Sequence, residues 1–403
     1  MSIHTSKAAD KYVPTYFLGS VGAGGLAVTF FMYLMFWVPH PGKPVPVFED
    51  IRAAFETGTA PLQAAIIVAA LGIAFFTFLN IKALVWNIGQ MSKFRKTEAY
   101  TKLRNSNGET SLLAAPLAVA MSINASFIVG LVFVPNLWNI VEYLFPLAMV
   151  AFVLTGFWAV RLIGDFLGRV LSKGGIFDVT AHNSFAQMLP AFALAMVAVG
   201  LSAPAAMSHI TATVGTSLVL SSIFGVAAIL YSVVAVITAF NSMLHYGTAK
   251  EAGPTLMIIV PLMTVLGIMV LRQDHGLHTT FEAHSTAGET MVFLARLLAV
   301  QLVFLGLGMT VLRRQGYFKD FVLGSKTSAG SYALVCPGVA LSVMLHFFVN
   351  KGLVAAGVIT KYDVTYWAIT AIALIAQFAM IALVLRLNRQ HFGTHAAQAV
   401  PAE

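Results

Sequence analysis

Residues Ser331–Val349 read SYALVCPGVALSVMLHFFV, an apolar run of helix length with a proline in its first half and no charged side chain. Three further runs share the design: SLLAAPLAVAMS around Pro116, SFAQMLPAFALA around Pro190 and PTLMIIVPLMTV around Pro261. The four prolines stand 74, 71 and 76 residues apart, the period expected of a helical hairpin repeated along the chain. Each proline lacks an N–H, bends its helix and frees the carbonyl four residues earlier, here on Leu112, Ala186, Met257 and Ala333. An unsatisfied carbonyl is costly in hydrocarbon, so these helices belong inside a bundle, against protein or a wet cavity.

The rest of the composition agrees with a membrane setting. Of 403 residues 58% are hydrophobic and 10% charged, and the mean hydropathy is +0.83, outside the range of a soluble globular chain. The first thirteen residues are polar and the first apolar run is long, so a retained N-terminus is expected rather than a cleaved signal peptide. A single cysteine, Cys336, excludes a disulfide or a cysteine metal cluster within one chain. The net charge of +8 is read as a topology signal. No basic stripe is interleaved with aromatics, so nucleic acid is not an expected partner and membrane lipids are.

Apolar runs long enough to span fall at 14–38, 61–88, 111–134, 139–163, 181–203, 210–244, 254–271, 289–312, 331–349 and 364–387. That predicts an all-α polytopic membrane protein with ten helices, arranged as five hairpins. The loops after odd-numbered spans carry five of the 24 lysines and arginines, and most of the rest lie in the tails and the loops after even spans. By the positive-inside rule both termini are cytoplasmic. Basic stretches such as Lys93–Arg104 and the pair Arg313, Arg314 are then inner-face segments, solvated or facing lipid.

Charge also sorts between spans. The odd spans hold no Asp, Glu, Lys or Arg, whereas the even ones hold Lys82, Glu142, Arg161 and Arg296. Odd spans carry small and neutral polar residues instead: Gly19, Ser20, Gly22, Gly24 and Gly25 in the first, Ser122 and Asn124 in the third, Gln187 in the fifth, Thr264 in the seventh, Ser342 and His346 in the ninth. Small residues permit close backbone approach, and neutral hydroxyls and amides can line a wet lumen. The expectation is an inner ring of five odd helices around a central pore, with five even helices outside. The segment from Pro39 to Pro61 reads as a cap or short interfacial element.

Chemistry-bearing clusters are sparse. DHGLHTTFEAH (Asp274 to His284) offers three histidines and two acids in a loop, with no zinc-type spacing. His182 with His245, or His209 with His346, are the pairs that a haem reading would need. Arg296 is a candidate anion attractor, with Glu142 as its alternative partner. No nucleophile with a base, phosphate loop or carboxylate pair lies in the spans, so neither an enzyme nor a cofactor is expected.

PTYFLGSVGAGGLA (Pro14 to Ala27), LHYGTAKEAGPTLMIIVPLMTVLG (Leu244 to Gly267) and SYALVCPGVALS resemble the tellurite-resistance/dicarboxylate transporter family. That family includes the bacterial tellurite-resistance protein, the plant slow anion channels and fungal malate and sulfite carriers. The likeness covers Pro14 to about Leu387. It implies quasi-fivefold symmetry, a pore in each protomer of a homotrimer, and movement of small inorganic or organic anions. In the channel members a phenylalanine before the ninth-helix proline plugs the pore; Cys336 stands there in this chain. The expected constriction therefore comprises Cys336, Pro337, Leu189, Pro190, Ala115, Pro116, Val260 and Pro261, with Phe17, Phe127, Phe185 or Phe192 supplying the ring.

The whole reading is a cytoplasmic tail (1–13), an anion-transport domain (14–388) and a second cytoplasmic tail (389–403) in a bacterial inner membrane. It expects an anion channel or low-affinity anion transporter. The alternatives are a secondary exporter of sulfite, a C4-dicarboxylate or a toxic oxyanion such as tellurite, and a membrane redox or haem-bearing subunit.

Overall fold

The computed structural model describes residues 11–173, 177–181 and 183–393. Most of both expected tails and His182 of the haem reading lie outside the described residues. Ten helices are long and apolar enough to cross a membrane: α1 (Pro14–Trp37), α2 (Ala60–Phe94), α3 (Asn107–Phe133), α4 (Leu137–Ser172), α5 (Phe185–Met207), α6 (Thr211–Tyr246), α7 (Lys250–Phe281), α8 (Ala287–Arg314), α9 (Ala329–Val354) and α10 (Val364–Phe392). No β-strand occurs among the described residues. The chain is an integral membrane protein of helical, polytopic type.

Odd and even helices occupy different layers. In their most apolar stretches α1, α3, α5, α7 and α9 are 89, 61, 94, 72 and 78% buried, against 39, 33, 22, 22 and 22% for the even helices. A helix apolar on every side and free of charge can be enclosed by protein. Three charges inside the even runs, Lys82, Arg161 and Arg296, instead lie outward and are exposed. Each odd helix packs on the next, α1 on α3, α3 on α5, α5 on α7, α7 on α9, and α9 returns to α1. Each of α2, α4, α6 and α8 sits outside, against the two odd helices that flank it in sequence, and α10 sits against α9 and α1. This is the five-hairpin ring.

Glycine closes it. Gly19, Gly22 and Gly25 of α1 lie beneath Tyr332, Val335 and Val339 of α9, and a Cβ on Gly22 or Gly25 would stand 2.9 Å or 2.8 Å from a valine methyl. We expect Gly25→Leu to lower the melting temperature of the solubilised protein, since overpacking costs roughly 1–3 kcal/mol. Gly89→Leu, at a position with open space around it, is the control expected to leave melting unchanged.

The expected mid-helix proline bend takes another form. Every odd helix begins as a 3₁₀ segment: Pro14–Tyr16, Asn107–Leu113, Phe185–Met188, Lys250–Met257 and Ala329–Leu334. The following α segments start at Phe17, Ala114, Leu189, Ile259 and Val335, so Pro116, Pro190, Pro261 and Pro337 fall at the second or third α residue. A first-turn N–H has no partner within its own α segment, so proline is tolerated there. Leu112, Ala186, Met257 and Ala333, whose carbonyls were expected to be freed, lie in the 3₁₀ segments.

The hydroxyl of Tyr16 is 3.0 Å from Nδ1 of His391, so the two ends of the described chain meet at one end of the bundle. At the opposite, distal end, the segment after α1 carries a short helix, Phe48–Thr57, steadied by Lys43 donating to Asp50 at 2.8 Å.

Candidate functional site

A cavity of about 400 Å³ occupies the distal half of the ring. All five odd helices line it, with α4 adding Phe145, Ala148 and Phe152. Its mouth is marked by Pro44 and Val45 from the segment after α1, Ser285 from the turn between α7 and α8, and Lys351 at the end of α9. On the side of the termini a separate void of about 10 Å³ lies among Leu18, Leu189, Pro254, Thr255, Ile258 and Ala333. Three residues border both spaces: Phe192, Pro261 and Cys336. They form a neutral partition between the distal cavity and the void beneath it.

Of the residues expected at the constriction, the structure thus brings together Cys336, Pro261 and Phe192, with Leu189 just below on the void. Phe127 lies higher, on the cavity wall, with its ring 6.2 Å from that of Phe145. Phe185 turns away from both spaces, its ring 6.1 Å from Phe240 of α6 and 6.2 Å from Phe304 of α8. Phe17 is buried and borders neither space. Val260 packs outward with Leu312 and Tyr317. Ala115, Pro116, Pro190 and Pro337 stand behind the lining.

The polar residues divide similarly. Asn124 and Thr264 line the cavity. Thr264 is held by Gln301, a fully buried residue of α8 whose amide donates to the Thr264 hydroxyl at 2.6 Å and to the Val260 carbonyl at 2.9 Å. The others serve packing. Ser20 bonds Asn80 of α2, Ser122 donates to the Ala118 carbonyl, and Gln187 donates to Asn183. Ser342 and His346 are fully buried off the lining, the imidazole enclosed by Tyr33, Phe36 and Trp37.

Arg296 is not placed to attract an anion into this cavity: it is exposed on an outer helix. Glu142 is not its partner either, since that carboxylate accepts from the Ser208 hydroxyl and the His209 N–H at 2.7 Å each. The cations of the cavity are Arg272 and Lys351. The run 254–271 stops one residue short of Arg272, but α7 continues to Phe281, so most of the stretch Asp274 to His284 is helix rather than loop. The continuation fits because Gly276 passes the Ala205 carbonyl so closely that a Cβ would stand 2.4 Å from it. The run 331–349 likewise stops short of Lys351, which a π-helical turn, Phe348–Val354, carries to the rim. The cue available in sequence was a cation one or two residues beyond each of these two runs.

Arg272 is held from below. The chain of α5 breaks between Leu201 and Ala203, where Pro204 cannot continue the bonding pattern. The Val199 carbonyl near this break accepts from a terminal guanidinium nitrogen of Arg272 at 2.7 Å. A cation at a helix C-terminus is favourably placed against the helix dipole. Among the described residues no carboxylate lies within ion-pair distance of Arg272 or Lys351. Asp274, His275 and His278 complete the ionisable groups of the wall.

No group of three metal-ligating side chains comes together among the described residues. His209 stands at the start of α6 beside Glu142, and His346 packs on α1, in different sectors of the ring. Neither a family model nor a curated protein matches this chain.

Proposed function

We propose that this protein moves small anions through the centre of each protomer, as a channel or low-affinity transporter gated at Phe192, Pro261 and Cys336. The observation that supports it best is the cavity itself. It is walled by five helices whose apolar runs are charge-free, carries two cations without carboxylate partners just past two of those runs, and stops at a neutral partition with a second void beyond. Cations near the mouth concentrate anions, and a narrow apolar constriction gates by excluding water. The opening at one end alone also suits an exporter with alternating gates, carrying sulfite, a dicarboxylate or a tellurite-like oxyanion. A homotrimer in a bacterial inner membrane, with cytoplasmic termini, belongs to the same reading.

Recording from purified protein in planar bilayers under chloride and nitrate gradients, with isotope uptake in parallel, tests this. Anion-selective current marks a channel and saturable uptake without current marks a carrier; silence in both with every anion class overturns the reading. Cys336 gives a local check. A small water-soluble methanethiosulfonate reagent is expected to reduce flux in the wild type and to leave the thiol-free Cys336→Ala unaffected; a conducting wild type that the reagent leaves unchanged would remove Cys336 from the pathway.

A further inference from the structure

The distal cavity is built for more than a bare inorganic ion. At about 400 Å³ it falls within the range of organic-ligand pockets. Its wall is mostly apolar, and five methionines and six phenylalanines contribute to it, among them Met32, Met121, Met196, Phe31, Phe152 and Phe347. A halide or nitrate gains nothing from such a surface, whereas an apolar body does. Methionine adapts to irregular shapes and makes favourable sulfur–aromatic contacts, and aromatic edges pack well on rings.

The polar part of the wall is equally specific. Arg272 carries five N–H donors, and among the described residues its hydrogen bonding is to the Val199 carbonyl alone. The rest of the planar fork is free to meet a carboxylate or sulfonate, and Lys351 adds a second charge at the rim. One end carries the two cations, with Asp274 on the same wall but not ion-paired to either, and the remainder is mostly apolar.

We infer that this cavity is a binding site for organic anions with an apolar body, the acid group on Arg272 and Lys351 and the body among the methionines and phenylalanines above Phe192. This deepens, and rests on, the anion reading of the same cavity. A bound molecule of this kind would cover the partition and compete with small anions for entry.

Benzoate is the probe, with benzyl alcohol and benzylamine as controls for partition into lipid, and binding is measured by saturation-transfer NMR on the protein in nanodiscs. Benzoate is expected to bind at least about tenfold more tightly than either control. Lys351→Gln, at an exposed rim position, and Arg272→Gln are each expected to weaken it about tenfold, with Arg272→Lys recovering part of the loss. Benzoate binding no tighter than benzyl alcohol, or unchanged in Lys351→Gln and Arg272→Gln, overturns the inference. Chloride flux in liposomes is measured separately. Flux without benzoate binding sinks this site and spares the transport reading, whereas benzoate binding without flux of any anion does the reverse.

Discussion

Phe192→Ala is expected to raise anion current per protein by at least about tenfold, which corresponds to lowering the barrier by roughly 1.4 kcal/mol. Of the three residues bordering both the distal cavity and the void beneath it, only Phe192 contributes an aromatic ring. Pro261 is fixed by its own ring in the first α turn of its segment, and Cys336 is small. Removing the phenyl group joins the two spaces and lets water, and with it anions, pass an apolar constriction that excludes both. Truncating a buried phenylalanine typically costs about 3–5 kcal/mol of stability, so melting must be followed alongside current. Phe192 borders empty space already, which places it at the low end. Cys336→Phe is the opposite change and is expected to reduce current below that of the wild type. If Phe192→Ala folds and conducts as the wild type does, the partition lies elsewhere.

Glu109→Leu is expected to destabilise the fold by about 2–4 kcal/mol, a buried ion-pair loss discounted for partial exposure of the partners. The Glu109 side chain is 3% exposed at the start of α3. It is ion-paired with Arg104 at 2.8 Å, on the short helix Glu98–Arg104, and accepts a hydrogen bond from Arg169 of α4. Arg104 also lies 3.5 Å from the more exposed Asp165. Removing the carboxylate leaves two half-buried guanidinium groups facing each other. Thermal melting of the solubilised protein measures the loss. Adding Arg169→Leu to Glu109→Leu should recover part of it, as a double-mutant cycle through a shared charge requires. An unchanged melting temperature in Glu109→Leu would show that this cluster is solvated. The sequence reading placed the basic stretch around Arg104 in solvent or facing lipid, because nothing local reveals that a glutamate five residues on is buried beneath it.

Some of the site was legible and some was not, for a geometric reason. Phe185 and Phe192 are seven residues apart, which in an unbroken α-helix puts them on one face. Residues 185–188 are 3₁₀, however, and a 3₁₀ helix turns about 20° further per residue than an α-helix. Four such residues swing Phe185 round by about 80°, out toward α6 and α8, while Phe192 stays on the cavity. The reading of Arg296 and the absence of Arg272 from the sequence's candidates have a related reason. An arginine well inside an apolar run draws attention, but an outer helix can turn it to the surface, and the cation that reaches the cavity sits past the end of its run.

By itself the sequence determined the ten spans, the alternation of inner and outer helices and the glycine seam of α1. These follow from how much charge and bulk each helix can hide, which is a property of one segment. The tertiary structure alone decided which face of each inner helix looks into the cavity, and so which ring closes it and which cations serve it. Those outcomes depend on where 3₁₀ gives way to α, on the break in α5 and on the π turn in α9, and each of these is set by packing against neighbours far away in the chain.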